Sequence, residues 1–136
     1  MKNVIVLAVL FALLSPCYAS EDEVPQAVEA ARTWLAMVDT AAYGESWEEA
    51  AEFFKNAVTR KTWEQQLKAV RGPLGELISR ELKQSHYTTT LPGAPDNEYV
   101  VITFETSFEN KKTAMETVTP MKEEDETWRV SGYYIK

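Results

Sequence analysis

One change of rhythm governs how this chain can fold. Up to Gly75 the apolar residues recur every three or four positions; beyond it they alternate every second position. A helical region therefore precedes a strand region, and the two do not interleave. Helices set apart before strands build an α+β domain, with helices on one face of an antiparallel sheet, and not a parallel βαβ fold. The 136 residues suffice for one domain and are too few for two.

The helical region divides at local signals. Pro25 follows the acidic run Glu21-Asp22-Glu23, which suits the first turn of a helix. Val24, Ala27, Val28, Ala31, Leu35 and Val38, with Trp34 beside them, form one apolar stripe that ends at Tyr43-Gly44. Ser46-Trp47-Glu48-Glu49 reads as a capping box opening a second helix that buries Trp47, Ala50, Ala51 and Phe54. Thr59 or Thr62 starts a third helix through Trp63, Leu67 and Val70, which Gly72-Pro73 stops.

Four strands are expected after Gly75. Leu77 to Thr90 is the first. Tyr99 to Phe108 is the clearest, with Val100, Ile102, Phe104 and Phe108 on one face. Lys112 to Met121 follows, where Pro120 marks an edge or a bulge, and Trp128 to Ile135 is last. In that last strand Trp128, Val130 and Tyr134 share the apolar face, Gly132 leaves room for a close backbone approach, and Tyr133 faces outward. The expected architecture is about three helices lying across a curved four-stranded antiparallel sheet.

The N-terminus reads as an address. Met1-Lys2-Asn3 is a short positive start, Val4 to Leu14 holds eleven apolar residues, and Ser15-Pro16-Cys17-Tyr18-Ala19 breaks the run and ends on a small residue. That is the layout of a secretory signal peptide at 1–19, cleaved after Ala19, with the domain at 20–136. Eleven helical residues span only about 16 Å, half the hydrocarbon core, so no membrane span is expected after cleavage. The alternative is lipidation of Cys17, although the proline before it fits that signal poorly. The expected localisation is periplasmic or secreted.

Cleavage at Ala19 would also remove the one cysteine. Disulfides, thiol catalysis and Cys-based zinc sites then drop out, and stability must come from packing. With 45% hydrophobic residues and four Trp, six Tyr and five Phe, a core is within reach. The net charge of −7 argues against a nucleic-acid partner, which needs a basic face.

Trp34-Leu35-Ala36-Met37-Val38-Asp39 with Tyr43-Gly44-Glu45-Ser46-Trp47 resembles the start of a bacterial domain family of unknown function, DUF4019. Arg71-Gly72-Pro73-Leu74-Gly75 with Arg80, the stretch from Leu91 to Val100, and Trp128-Arg129-Val130-Ser131-Gly132-Tyr133-Tyr134 resemble its later parts. The resemblance covers nearly all of residues 27–136. It implies a small exported bacterial domain and brings no catalytic residues with it. The helix-then-sheet order is also similar to the NTF2-like/cystatin-like cone folds, a likeness of fold alone.

No catalytic motif stands out. There is no G-x-S-x-G elbow, no S-x-x-K and no phosphate loop, so no cofactor is expected. His86 is the only histidine, and the turn Glu123 to Glu126 lacks the spacing of a calcium loop, so no metal site is expected. Arg80 alternates with Ile78 and Leu82, which aims it at the apolar face, while Arg71 stands at the end of the third helix. Buried guanidiniums need carboxylates, and Asp39, Glu49 and Glu116 are the candidate partners. Otherwise Arg71 or Arg80 anchors a small acidic ligand, in a pocket lined by Trp34 and Trp63, with His86 and Tyr133 as further candidate contacts. The leading expectation is a non-catalytic ligand-binding or protein-assembly module of the envelope, forming a homodimer through Tyr99, Val101 and Thr103 of the sheet or meeting an envelope protein. The alternative is a small-pocket hydrolase or isomerase using an inward carboxylate or His86 with Arg80.

Overall fold

The computed structural model describes residues 23–136. The expected signal peptide, its cleavage point and Cys17 lie outside the described residues. These residues form α1 Val24–Asp39, α2 Tyr43–Glu48, α3 Glu52–Ala57 and α4 Arg60–Leu74, then β1 Leu77–Thr88, β2 Tyr99–Phe108, β3 Lys111–Lys122 and β4 Trp128–Ile135. The class is α+β, with helices preceding an open antiparallel sheet in the order β1-β2-β3-β4.

α1 follows its stripe. Ala27, Ala31, Trp34, Leu35 and Val38 are buried, at the spacing of one helix face, and the helix touches all four strands. It ends at Asp39, earlier than expected, in a turn that Ala41 makes with φ of 62°. The expected second helix is two helices. Ser46 does not cap; it lies inside α2, where its hydroxyl donates to Tyr43 O at 2.7 Å. Between α2 and α3 the chain passes through buried Ala50 and Ala51, and the Ala51 amide donates to Val130 O of β4 at 2.9 Å. Residues without long side chains let this break lie directly against the strand. Thr59 caps α4, accepting from the Thr62 amide. The helix runs through Gly72-Pro73 to Leu74: Pro73 has no amide hydrogen for the bond to the residue four before it, but only Leu74 follows, so the loss is confined to the helix end. Gly75 ends it at φ of 75°, where a β-carbon would meet Glu109 Oε2 at 2.8 Å.

The core sits between α1, α4 and the inner face of the sheet. Val100, Ile102, Phe104 and Phe108 are fully buried, as the alternation predicts, and Thr106 occupies the same inward row. A smaller cluster at one end packs Tyr99 on Ala51 and Met121, with Phe53, Leu91 and Ala94 beside it. Tyr99 is therefore covered within the chain; Val101 and Thr103 are half-buried.

Three irregularities change which side chains face inward. Ile78 and Lys83 are extra residues in β1 relative to β2. Arg80 points inward as expected, but Ile78 is bulged out and 66% exposed, and Leu82 lies at the rim, 37% exposed. In β4, Ser131 is an extra residue opposite the Thr119–Pro120 step, so Pro120 does stand at a bulge, carried by the border strand β4, while its own strand β3 is interior. Its hydroxyl donates to Thr119 O at 2.7 Å. That one residue reverses the alternation: Tyr133 turns inward and Tyr134 outward, the opposite of the sequence expectation. Gly132 has open space where a β-carbon would stand, so it serves no close approach.

The turn after α1 generates a prediction. The Ala41 amide donates to Val38 O at 3.1 Å and the Ala42 amide to Met37 O at 2.9 Å, a Schellman arrangement that glycine occupies at lower cost. Ala41 is exposed, so losing its methyl forfeits no burial. Ala41→Gly is expected to raise the unfolding free energy by about 1 kcal/mol. Urea unfolding checks this, and a loss of stability would contradict the left-handed turn.

Candidate functional site

Helix and sheet meet around a buried guanidinium. Arg80 of β1 donates through Nη1 to Asp39 Oδ2 at 2.7 Å, through Nη2 to Asp39 Oδ1 at 2.9 Å, and through Nε to Glu116 Oε1 at 2.7 Å. Asp39 is the last residue of α1 and Glu116 lies in mid-β3, so one side chain ties the end of the long helix to two strands. Arg71 of α4 adds a bond from Nη2 to Asp39 Oδ1 at 2.9 Å. Glu116 also accepts from Thr106 Oγ1 at 2.5 Å and from the Tyr133 hydroxyl. Two carboxylates face two guanidiniums, and the formal charges cancel.

The fold aims each of these groups. Thr106 and Glu116 occupy inward positions of β2 and β3, and the Ser131 bulge delivers Tyr133 to Glu116. Arg71 takes the third place of a stripe that begins with Trp63 and Leu67, and its guanidinium lies over the Phe108 ring, 4.7 Å from the centroid. Its Nε and Nη1 are buried with no hydrogen-bond partner among the described residues.

Electrostatics follow the geometry. Burial works to raise the Asp39 pKa, but the hydrogen bonds and charge of Arg80, then those of Arg71, outweigh it and hold the carboxyl below its ordinary 3.8. Burial opposes the charge on Arg80, yet its bonds to Asp39 and Glu116 raise its pKa. Burial, then the charge and hydrogen bond of Glu116, push the Tyr133 hydroxyl well above its usual range, so it stays a donor. Asp39, Arg80 and Tyr133 are thus each held in the form that their neighbours need.

Of the residues singled out from sequence, Arg71, Arg80 and Tyr133 converge here. Tyr133 is turned inward, against the expectation of an exposed contact. Trp34 and Trp63 stand next to the network as packing: Tyr133 meets Trp34 edge-on at 5.3 Å, and Trp63 lies 6.1 Å from Trp34 and 4.7 Å from Phe54. Their indole groups bond to Ser46, Trp34 to its carbonyl at 2.8 Å and Trp63 to its hydroxyl at 3.0 Å. His86 stays apart, exposed on β1 opposite Val101. Asp39 and Glu116 are the partners the sequence proposed; Glu49, the third candidate, is exposed. Thr106 and Ser46 were not foreseen. Thr106 was legible from alternation, since it shares the row of Phe104 and Phe108.

The principal grooves are open and do not reach the ion pairs. One of about 510 Å³ is lined by Phe53, Met121 and the acids of the β3–β4 turn, and one of about 280 Å³ by Trp63, Leu67, Val70 and Tyr134, with Tyr133 of the network at its wall. None of these grooves includes Asp39, Arg71, Arg80 or Glu116. Arg129 occupies the acidic turn, 3.0 Å from Asp125, whose pKa its hydrogen bond lowers to about 2. Among the described residues no cluster of His, Asp and Glu is arranged to hold a metal ion, and no helix is long and apolar enough to cross a membrane.

Two predictions follow from the network. Arg80→Ala leaves buried Glu116 without a cation and Asp39 with Arg71 alone, and is expected to cost about 3–5 kcal/mol, read as a lowered melting temperature. Arg80→Lys does not restore it, because an ammonium cannot bridge both acids in the same plane. A variant as stable as the native chain would show that the network is dispensable. Asp39 also sets a pH dependence. Its folded pKa lies below the unfolded 3.8, so its contribution is full above that value and is lost as pH falls through the folded one. The stability gap between the native chain and Asp39→Asn should be constant above about pH 5 and shrink in stronger acid; a gap that widens in acid would contradict the assignment.

No curated protein and no solved structure matches the chain. The model of a family described as a protein of unknown function, DUF4019, matches residues 30–133, a span that begins within α1 and takes in every member of the ion-pair network. The chain belongs to the DUF4019 family.

Proposed function

We propose that this chain is a non-catalytic module for protein assembly that works outside the cytoplasm, with the sheet as its contact surface. The observation that carries the reading is that the interior is already occupied. Both inward carboxylates are bound by arginines; Arg80 is engaged through all three nitrogens, while Arg71 is tied to Asp39 through Nη2 and lies buried against Phe108. Aromatic rings fill the space beside them. A general base needs a free carboxylate within reach of a substrate, and neither Asp39 nor Glu116 is free.

The outer face of the sheet has the opposite character. Val101 and Thr103 of β2 and Met115, Thr117 and Thr119 of β3 form an uncharged patch of half-buried residues. Exposed apolar patches rimmed by polar residues mark contact sites, and here Val101 and Met115 lie among threonines with Glu105 at the border. The N-terminal segment supplies the compartment, as an export signal whose cleavage after Ala19 leaves a chain starting at Ser20.

Intact mass of the exported protein is expected to correspond to a start at Ser20; a lipid-modified Cys17 would replace that account. For the contact surface, chemical cross-linking in cells is expected to give discrete adducts of the native chain with other proteins. The Thr103→Arg/Thr117→Arg variant, with its melting temperature unchanged, should lose them. Adducts with other proteins that survive both substitutions would remove the sheet face from the proposal.

A further inference from the structure

The strand at one border of the sheet carries a feature that packing among the described residues leaves unused. β1 runs for twelve residues and, among the described residues, pairs with β2 alone. No other described segment exchanges a backbone hydrogen bond with residues 77–86. Of the four large hydrophobic side chains that stand exposed among the described residues, two, Ile78 and Leu82, are on this strand. A long open edge with exposed apolar side chains is a template for another strand.

Its charges select the strand. Glu81 and Lys83 flank Leu82 and face the same side of the sheet: Lys83 Nζ lies 3.3 Å from Glu81 Oε2 and 3.3 Å from Glu105 Oε2. An antiparallel partner centred on Glu81 would set Glu81 against Glu81, and one centred on Lys83 would set lysine against lysine. Centred on Leu82, each Glu81 meets a Lys83 and the two leucines face each other. Cross-strand pairs of opposite charge stabilise a ladder and like pairs destabilise it, so the sequence is complementary to itself in this register. The bulge at Lys83 and the lysine itself are devices that discourage indiscriminate edge pairing; the matching glutamate of an identical strand removes the penalty.

We propose that two copies of this chain join edge to edge through β1, antiparallel about a two-fold axis at Leu82, with Glu81 of each copy facing Lys83 of the other. The proposal rests on the assembly reading and names one partner for it: a second copy. It extends two four-stranded sheets into one and leaves the uncharged outer face free for a further contact.

Charge reversal tests the register. Glu81 and Lys83 are exposed, so single reversals leave the fold intact, which circular dichroism checks. Sedimentation of the native chain is expected to show a monomer–dimer equilibrium that weakens with salt. Glu81→Lys alone and Lys83→Glu alone each place like charges at both contacts and should raise the dissociation constant about tenfold or more. Mixing the two variants pairs every lysine with a glutamate and should restore a dimer containing one copy of each. The Glu81→Lys/Lys83→Glu chain should dimerise by itself. A native chain that stays monomeric at about 1 mM overturns the proposal. So does a dimer that both single reversals leave unchanged. Either result leaves the assembly reading to the outer-face cross-linking, which reads different residues.

Discussion

The bond from Arg80 to Asp39 and Glu116 is the constraint on which the rest of the molecule turns. α1 lies across all four strands, and apolar contact alone would let a helix slide along its stripe, because burial is not directional. A planar guanidinium that meets one carboxylate with two nitrogens and a second with the third permits one position. Arg71 reaches the same aspartate from α4, so both long helices are indexed to one point on the sheet. Replacing such a cluster by apolar residues can preserve stability, whereas removing one member leaves an unpaired charge in a dry interior. The arginines are therefore better understood as fixing the arrangement than as adding to its stability.

Much of the architecture is legible in the sequence, and the failures are instructive. The change of period at Gly75 is enough to order helices before strands, and the β2 and β4 boundaries follow from composition and turns. The inward row of β2 is read correctly because nothing interrupts its alternation. Tyr133 and Tyr134 are assigned to the wrong faces because alternation assumes a regular ladder, and the extra Ser131 breaks it. No local signal marks that serine as a bulge. It arises where Pro120, across the ladder, lacks an amide hydrogen to donate. Ser46-Trp47-Glu48-Glu49 fails as a capping box for a similar reason. Tertiary contact overrides local preference, since two indole groups need an acceptor and Ser46 supplies both its carbonyl and its hydroxyl.

The candidate site was partly legible for a reason that generalises. A basic residue in an apolar alternation predicts a buried charge, and a buried charge predicts a carboxylate partner. That reasoning reached Asp39 and Glu116, at sequence separations of 41 and 36 from Arg80, without any geometry. It could not decide whether the acids come from the chain or from a ligand. Distances decide: a guanidinium bonded at 2.7–2.9 Å through all three nitrogens has little left to offer a visitor.

An interior that neutralises its own charges and fills its own space directs attention outward, and the surface is uneven in a telling way. Charged residues gather at the turns, along the exposed helix faces and on β1, while the outer row of β2 and β3 has Val101, Thr103, Met115, Thr117 and Thr119, bordered by Glu105 opposite Met115. Threonine and valine suit strands, but a solvated face achieves the same with lysine and glutamate and gains solubility. The open β1 border adds a second boundary, where Glu81 and Lys83, paired within the chain, also match their counterparts in the proposed two-fold register. On the proposed assembly reading, a sheet fixed from within by Arg80, with one uncharged patch and an open β1 border, offers its two contacts at a fixed angle, which is what a connector requires and a container does not.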